Sequence, residues 1–198
     1  MNVFAQRVPR TFALFVLAVC SFALAFTLVG CGGNDKEEIT KLVKTELDTL
    51  KDPTNSEFVS TLSSTESQLA ELGITQEDLL TSWLDGYAYE VGEVTVAEDG
   101  KTATVKVNIT CKKLYDVITA WQSTFYDRVM NEGLTSTADI QAFAGKTIVE
   151  DLKAATPSTT EITLNVEKGS SGWQIPSSNT ENDNAIASAL IGESALSL

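Results

Sequence analysis

The chain has 198 residues, and its 27 Asp and Glu against 14 Lys and Arg give a formal net charge of −13 at pH 7. This acidic balance argues against nucleic acid and polyanionic envelope polymers as partners, because their phosphates would be repelled. The chain contains no histidine, which excludes Ser-His-Asp and Cys-His catalysis and a histidine-ligated zinc site. The length fits one domain that can bury a core of its own.

The N-terminal 30 residues have the pattern of a secretory signal. Arg7 and Arg10 precede an uncharged apolar run from Thr11 to Val29, and the run ends at the small residue Gly30. Its length is close to the ~20 residues that span a bilayer, so an uncleaved membrane anchor is the alternative.

The end of this run, Leu28-Val29-Gly30-Cys31, resembles the lipobox of bacterial lipoproteins. The resemblance implies a diacylglycerol thioether on Cys31 and cleavage just before it, and therefore the lipid bilayer as partner and the extracytoplasmic face of the cell membrane as location. The predicted organisation is a lipoprotein signal peptide (residues 1–30), a lipidated cysteine with a short tether (31–34), a single domain (35–192) and a flexible C-terminal tail (193–198). Cys20 leaves with the signal peptide, so Cys111 is the only cysteine left and no internal disulfide is expected.

Three helical segments are predicted to open the domain. The first follows Asn34 as cap, ends at Asp52-Pro53 and has the apolar face Ile39, Leu42, Val43, Leu47 and Leu50. The second uses Phe58, Leu62 and Leu69 and stops near Gly73. The third starts at Thr75, whose spacing to Asp78 indicates a variant capping box, and ends at Gly86.

A β-hairpin is predicted next, because the apolar period changes to two. Tyr87, Tyr89 and Val91 share one face, whereas Val94 and Val96 have the opposite parity, which predicts a bulge at Gly92. Asp99-Gly100 forms the turn. The returning strand places Ala103, Val105, Val107, Ile109 and Cys111 on one face and Thr104, Lys106, Asn108, Thr110 and Lys112 on the other.

Two more helices and a second hairpin complete the pattern. Apolar residues recur at helical spacing from Leu114 to Val129, and a further helix follows Ser136. Ile162, Leu164 and Val166 alternate with polar residues into a hairpin through Gly169-Ser170-Ser171-Gly172, and Ala185 to Leu190 is apolar enough for a short final helix. The expected fold class is α+β, with an antiparallel sheet of two hairpins covered on one face by helices.

Three stretches carry a family resemblance: residues 25–44, with the lipobox, tether and first helix, residues 83–113 and residues 161–176 (EITLNVEKGSSGWQIP). Together they are similar to Gram-positive lipoproteins that carry a cystatin-like or nuclear-transport-factor-like domain of unknown function. The resemblance implies a curved sheet wrapped on a long helix, cystatin-like or cone-shaped, often enclosing a pocket. Both enzymes and inert scaffolds use this fold, so the fold does not select the function.

Aromatic side chains are the candidates for a ligand site. Core packing is the default for Trp83, Tyr87, Tyr89, Trp121, Phe125, Tyr126 and Trp173, which lie at or next to core periodicity. If the fold encloses a pocket, we expect it where these rings meet a polar side chain, because ligand pockets combine apolar walls with few polar groups. The predicted ligand-binding residues are Tyr89, Asn108, Trp121, Gln122 and Phe125.

Catalytic and metal sites have weaker support. Cys111 is expected to be a core thiol, since Lys112 and Lys113 alternate away along the strand. Glycoside hydrolysis needs a pair of carboxylates, and a chain with so many acidic residues always offers a plausible pair. No motif identifies one particular pair. The run Asn179 to Asn184 has oxygen ligands but lacks the glycine and terminal glutamate of a calcium loop, so a solvated cap of the last helix is favoured. No metal site and no cofactor are predicted.

The sequence therefore predicts a lipid-anchored binding or interaction module whose partner is a small molecule or an envelope protein. Catalysis is not favoured. Two alternatives stay open: an enzyme that uses carboxylates in a cone-shaped pocket, and a structural partner of a membrane complex. A buried cluster of carboxylates with raised pKa values would favour the first, and an exposed apolar patch beside the first helix would favour the second.

Overall fold

The computed structural model describes residues 35–52 and 66–192. The predicted signal peptide, Cys31 with its tether, Phe58 and Leu62 of the second helical segment, and the C-terminal tail all lie outside the described residues. The domain boundaries drawn from the sequence therefore stay predictions. Within the two described ranges, no helix is long and apolar enough to cross a membrane.

The described chain alternates helices and hairpins in the predicted order. The helices are α1 (Asp35–Asp48), which continues into a 3-10 turn (Thr49–Lys51), α2 (Glu66–Glu71), α3 (Gln76–Leu84), α4 (Leu114–Asn131), α5 (Thr137–Ala154) and α6 (Thr180–Leu190). The strands are β1 (Ala88–Val96), β2 (Thr102–Cys111), β3 (Ser158–Gly169) and β4 (Gly172–Gln174).

The four strands form one antiparallel sheet in the order β1-β2-β3-β4. Val91 pairs with Val107 and Val94 pairs with Val105, so two residues of β1 face one residue of β2 between these pairs. This register shift confirms the bulge predicted at Gly92. The bulge returns the apolar residues of both halves of β1 to the same face of the sheet.

One face of the sheet is buried and the other is polar. On β2, the side chains of Ala103, Val105, Val107, Ile109 and Cys111 are all buried, as predicted from their spacing. The intervening positions of β2 line up with Glu90 and Thr95 of β1 and with Glu161 and Thr163 of β3 on the exposed face. The α+β class, with helices on one face of an antiparallel sheet, is confirmed.

Helix α1 crosses the buried face of the sheet from one edge to the other. It contacts β4, the last strand, and β1, the first strand. Its predicted apolar residues Ile39, Leu42, Val43 and Leu47 are buried in the core. Helix α6 packs on β3 and β2, while α4 and α5 pair with each other and α5 also contacts α2 and α3.

The predicted helix boundaries are confirmed where local chemistry sets them. The hydroxyls of Thr75 and Ser136 accept hydrogen bonds from the backbone N–H groups of Asp78 (3.0 Å) and Asp139 (3.1 Å). Each hydroxyl also donates to the carboxylate of the same aspartate. Gly73 follows the second helix with φ of 67°, a conformation that glycine adopts without strain.

The prediction for the last helix was wrong in two respects. Helix α6 begins at Thr180 rather than Ala185, with the side chain of Asn179 accepting from the N–H of Asn182. The cap itself is as predicted, but Asn182 is buried rather than solvated. Its Oδ1 accepts from the N–H of Asn165 (2.7 Å) and its Nδ2 donates to the carbonyl of the same residue (2.9 Å). The side-chain amide of Asn182 therefore bonds to the edge of β3 that the three residues of β4 leave uncovered.

Replacing Asn182 by Ala is expected to lower the free energy of unfolding by about 1–2 kcal/mol, because the N–H and carbonyl of Asn165 both lose their partner. Equilibrium denaturation with urea measures the loss. The neighbouring variant Glu181→Ala removes only an exposed bond to the Asn165 side chain and is the control, expected within about 0.5 kcal/mol of the parent. Equal stability of both variants would show that Asn182 does not hold α6 to the sheet.

Candidate functional site

The predicted ligand residues Trp121 and Phe125 lie together on α4. Their ring centroids are 4.6 Å apart, and the ring of Phe125 is 6.2 Å from that of Phe143 on α5. The indole N–H of Trp121 donates to the hydroxyl of Thr147 (2.9 Å), which is buried and in turn donates to the carbonyl of Phe143. These contacts join two helices, as expected of core aromatic residues.

Tyr89, a third predicted ligand residue, contacts α1. Its hydroxyl donates to the Asp48 carboxylate (2.6 Å) and lies 3.1 Å from the carbonyl of Lys44, and the Lys51 ammonium lies 4.6 Å from its ring centroid. Burial, followed by the hydrogen bond to Asp48, raises the pKa of Tyr89, so the phenol stays protonated. The Tyr87 hydroxyl donates to the carbonyl of Leu47 (3.1 Å). Together these phenols fasten the last turn of α1 to β1.

The remaining two predicted residues face other directions. Asn108 is paired with Glu90 and Glu161 on the polar face of the sheet, opposite the core face of its neighbours on β2. Gln122 is exposed on α4. Among the described residues, no hydrogen bond or ring contact joins Asn108 or Gln122 to the aromatic cluster. The structure thus brings Trp121 and Phe125 together and does not gather the five residues around one pocket, and their role in binding stays a prediction.

Open grooves of about 360 Å³ lie at two places on the described surface, and neither of these is lined by a predicted ligand residue. The first lies at the end of the sheet where β1 turns into β2, between the threonines Thr95, Thr102 and Thr104 and the loop residues Pro176 and Asn179. The second lies between α5 and the connection from α2 to α3. Both are open hollows with charged side chains in their lining: Glu167 in the first, and Asp78, Lys146, Glu150 and Lys153 in the second.

An exposed apolar pair lies on α4. Tyr126 is 59% exposed and Met130, one turn further, is 60% exposed. The prediction of core packing was therefore wrong for Tyr126, because its position next to the apolar stripe of α4 places it on the solvent side of the helix. The pair lies on α4, whose main helical neighbour is α5 and not the first helix.

The cysteine and lysines at the end of β2 are structural. Cys111 is buried, and burial raises the pKa of its thiol to about 12, so little thiolate forms at neutral pH. Lys112 does not continue the polar face of β2 as predicted, because the strand ends at Cys111 and the chain turns. Its side chain is buried, and its ammonium donates to the carbonyl of Ser82 (3.0 Å) and to the Asp85 carboxylate (3.2 Å).

The acidic residues of the described chain are dispersed. Within residues 35–52 and 66–192, no group of three or more Cys, Asp and Glu side chains is arranged to hold a metal ion. In the run that resembled calcium ligands, the side chains of Asn179, Glu181 and Asn182 hydrogen-bond to α6 or to Asn165 of β3. Burial raises the pKa of Asp183, but Asp183 lines neither groove.

The first residue of α1 is held by the β3–β4 hairpin. The Asp35 carboxylate accepts from the Lys168 ammonium (2.8 Å) and from the indole N–H of Trp173 (3.0 Å). The backbone N–H of Trp173 donates to the Glu38 carboxylate, and Lys168 also lies over the Trp173 ring. The bond from Lys168, followed by that from Trp173, holds the pKa of Asp35 below its usual value. We call Asp35, Lys168 and Trp173 the α1 clamp.

The α1 clamp cannot be predicted from local sequence patterns. From the sequence alone, Asp35 is expected only to be a favourable charge at the N-terminus of a helix, and Trp173 is expected only to pack in the core. Lys168 and Trp173 lie more than 130 residues from Asp35 along the chain, and no local pattern connects positions at that distance.

Comparison with known proteins gives one distant likeness. No protein-family model matches the chain, and no curated protein matches it. A solved structure of a "putative lipoprotein (ycdA)" from Bacillus subtilis is similar, with 14% sequence identity and a TM-score of 0.41. The match covers 81% of this chain and 48% of that chain, so the present chain spans about half the length of that protein.

Proposed function

We propose that this protein is an extracytoplasmic lipoprotein, anchored to the membrane by a diacylglycerol thioether on Cys31. One observation carries the proposal: the lipobox-like Leu28-Val29-Gly30-Cys31 stands four residues before Asp35, where the described fold begins. The leader, the acylated residue and the folded domain would then follow one another with almost no spacer.

The described fold is compatible with cleavage before Cys31. Such cleavage would leave the whole described domain, from Asp35 onward, in the mature protein. Two acyl chains satisfy the requirement for two anchoring signals, since each buried methylene contributes about 0.8 kcal/mol.

We further propose that the anchored domain acts as a binding or interaction module. The exposed pair Tyr126 and Met130 on α4 is the contact surface that we assign to this role, because tyrosine and methionine are enriched in protein–protein interfaces.

Replacing Cys31 by Ala is expected to abolish acylation and to block processing of the leader. Labelled fatty acid is supplied to cells that express the full chain, and the intact mass of the purified protein gives the number of acyl chains and the first residue. Cys111→Ala is the matched control, because this thiol is buried in the domain, and its acylation should equal that of the parent. Undiminished incorporation of label into Cys31→Ala would contradict the proposal.

A further inference from the structure

The two ends of the sheet differ in their distance from the α1 clamp. The turn between β1 and β2 and the turn between β3 and β4 lie at the same end, where the N–H of Lys168 donates to the carbonyl of Lys101 (2.7 Å). Asp35 is bonded at this end through Lys168 and Trp173. We call it the hairpin end. The opposite end, where Ala88 and Cys111 lie beside Ser158, is the far end.

Helix α1 is fixed at both of its termini. The α1 clamp holds Asp35 to β4 and β3, and the phenols of Tyr87 and Tyr89 hold the last turn to β1. Between these points its apolar side chains are buried in the core. The residue that receives the tether is therefore part of the rigid domain and does not swing away from it.

The tether is short compared with the domain. Cys31 and Asp35 are four residues apart, which is at most about 14 Å of fully extended chain. A domain of about 160 residues has a radius of gyration of about 15 Å and a diameter of about 40 Å. The lipid anchor therefore cannot reach around the domain to the far end.

We propose that the hairpin end is the surface that faces the lipid bilayer and that the far end faces away from it. This inference rests on the proposed acylation of Cys31. The turn nearest the α1 clamp, Gly169-Ser170-Ser171-Gly172, contains no charged residue, whereas the β1–β2 turn at the same end carries Glu98, Asp99 and Lys101. We therefore expect the β3–β4 turn, which brings no added charge penalty, to be the part of the hairpin end that lies nearest the lipid headgroups.

Fluorescence quenching at the membrane tests the orientation. A fluorophore is attached to Ser171→Cys at the hairpin end or to Ser158→Cys at the far end, both at exposed positions. The acylated full-length product is reconstituted in phosphatidylcholine–phosphatidylglycerol vesicles that carry a nitroxide on the lipid headgroup. The dye is directed to the new cysteine, because Cys111 is buried and an acylated Cys31 has no free thiol.

Strand β3 runs from Ser158 to Gly169, which separates the two labels by about 36 Å. Quenching of the fluorophore at Ser171 should therefore exceed quenching at Ser158 by about fivefold or more. Equal quenching, or stronger quenching at Ser158, would overturn the orientation. The mass of each sample separates the two proposals. Acyl chains on Cys31 together with equal quenching overturn the orientation alone, whereas an unmodified Cys31 overturns the anchor and the orientation with it.

A longer tether tests the cause of the orientation in the same labelled variants. Twenty Gly and Ser residues inserted after Gly33 add a flexible segment with an end-to-end distance of about 25 Å. The quenching ratio between Ser171 and Ser158 should then fall toward one while acylation stays complete. A ratio unaffected by the insertion would overturn the role of the short tether.

Discussion

The free energy of unfolding of Trp83→Ala is expected to be about 3–5 kcal/mol below that of the parent chain, the range for removal of a fully buried large aromatic side chain. Trp83 is 0% exposed. Its indole N–H donates to the carbonyl of Lys112 (2.9 Å) and lies 3.3 Å from that of Leu190. The side chain thus joins α3 to the end of β2 and to the end of α6. For a domain of ordinary stability, 5–15 kcal/mol, this is a large fraction of the total.

Trp83→Phe separates packing from hydrogen bonding. Phenylalanine keeps much of the apolar volume but leaves the Lys112 carbonyl without the indole donor, so we expect a smaller loss of about 1–3 kcal/mol. Urea denaturation measures both variants, with the fluorescence of Trp121 and Trp173 as the signal. A loss of less than about 1 kcal/mol for Trp83→Ala would mean that the core at this position is not packed as described.

Gly145→Ala is expected to destabilise the protein by about 3 kcal/mol or more, the upper end of the range for overpacking. A Cβ atom built on Gly145 would lie 1.8 Å from the carbonyl oxygen of Leu72 and 3.0 Å from Cγ1 of Ile74. The connection from α2 to α3 must therefore move away from α5. The sign of the change in the free energy of unfolding identifies overpacking as the cause. In an open helix interior, the same Gly→Ala change stabilises a protein by about 0.5–1 kcal/mol.

Lys146→Ala is the control for Gly145→Ala in the same helix. The Lys146 side chain is exposed and forms only a 3.8 Å pair with Glu150, so its loss should stay within about 0.5 kcal/mol. Thermal and urea denaturation of both variants give the comparison. A stabilised Gly145→Ala variant would contradict the close approach of the two segments.

Local chemistry explains the parts of the fold that the sequence predicts. The change of parity between Val91 and Val94 predicts the bulge, because every side chain on a strand is assigned to a face by period two. The caps at Thr75 and Ser136 require only a hydroxyl and an N–H three residues later. Such features involve neighbouring residues, and their energies do not depend on the rest of the chain.

Tertiary contacts decide the features that the sequence did not predict. Lys112 is buried because its ammonium reaches α3, and α6 starts early because Asn182 bonds to β3. For the candidate site, the spacing of Trp121 and Phe125 on one helix predicts their contact. The alternation of residues along β2 places Asn108 on the face of the sheet opposite the core. The sequence alone therefore argues against one site that contains Asn108 together with Trp121 and Phe125.

The diagonal course of α1 makes the two sheet margins interdependent. Strands β1 and β4 are not neighbours in the sheet, yet each is bonded to one terminus of the same helix, β1 through Tyr89 and β4 through Trp173. Detachment of α1 would expose the core side of both β1 and β4. Transient opening at one edge strand should therefore increase the rate of amide hydrogen exchange at the other edge strand. Residues at the two borders of the sheet thus belong to one cooperative unit, although they are not neighbours in the sheet.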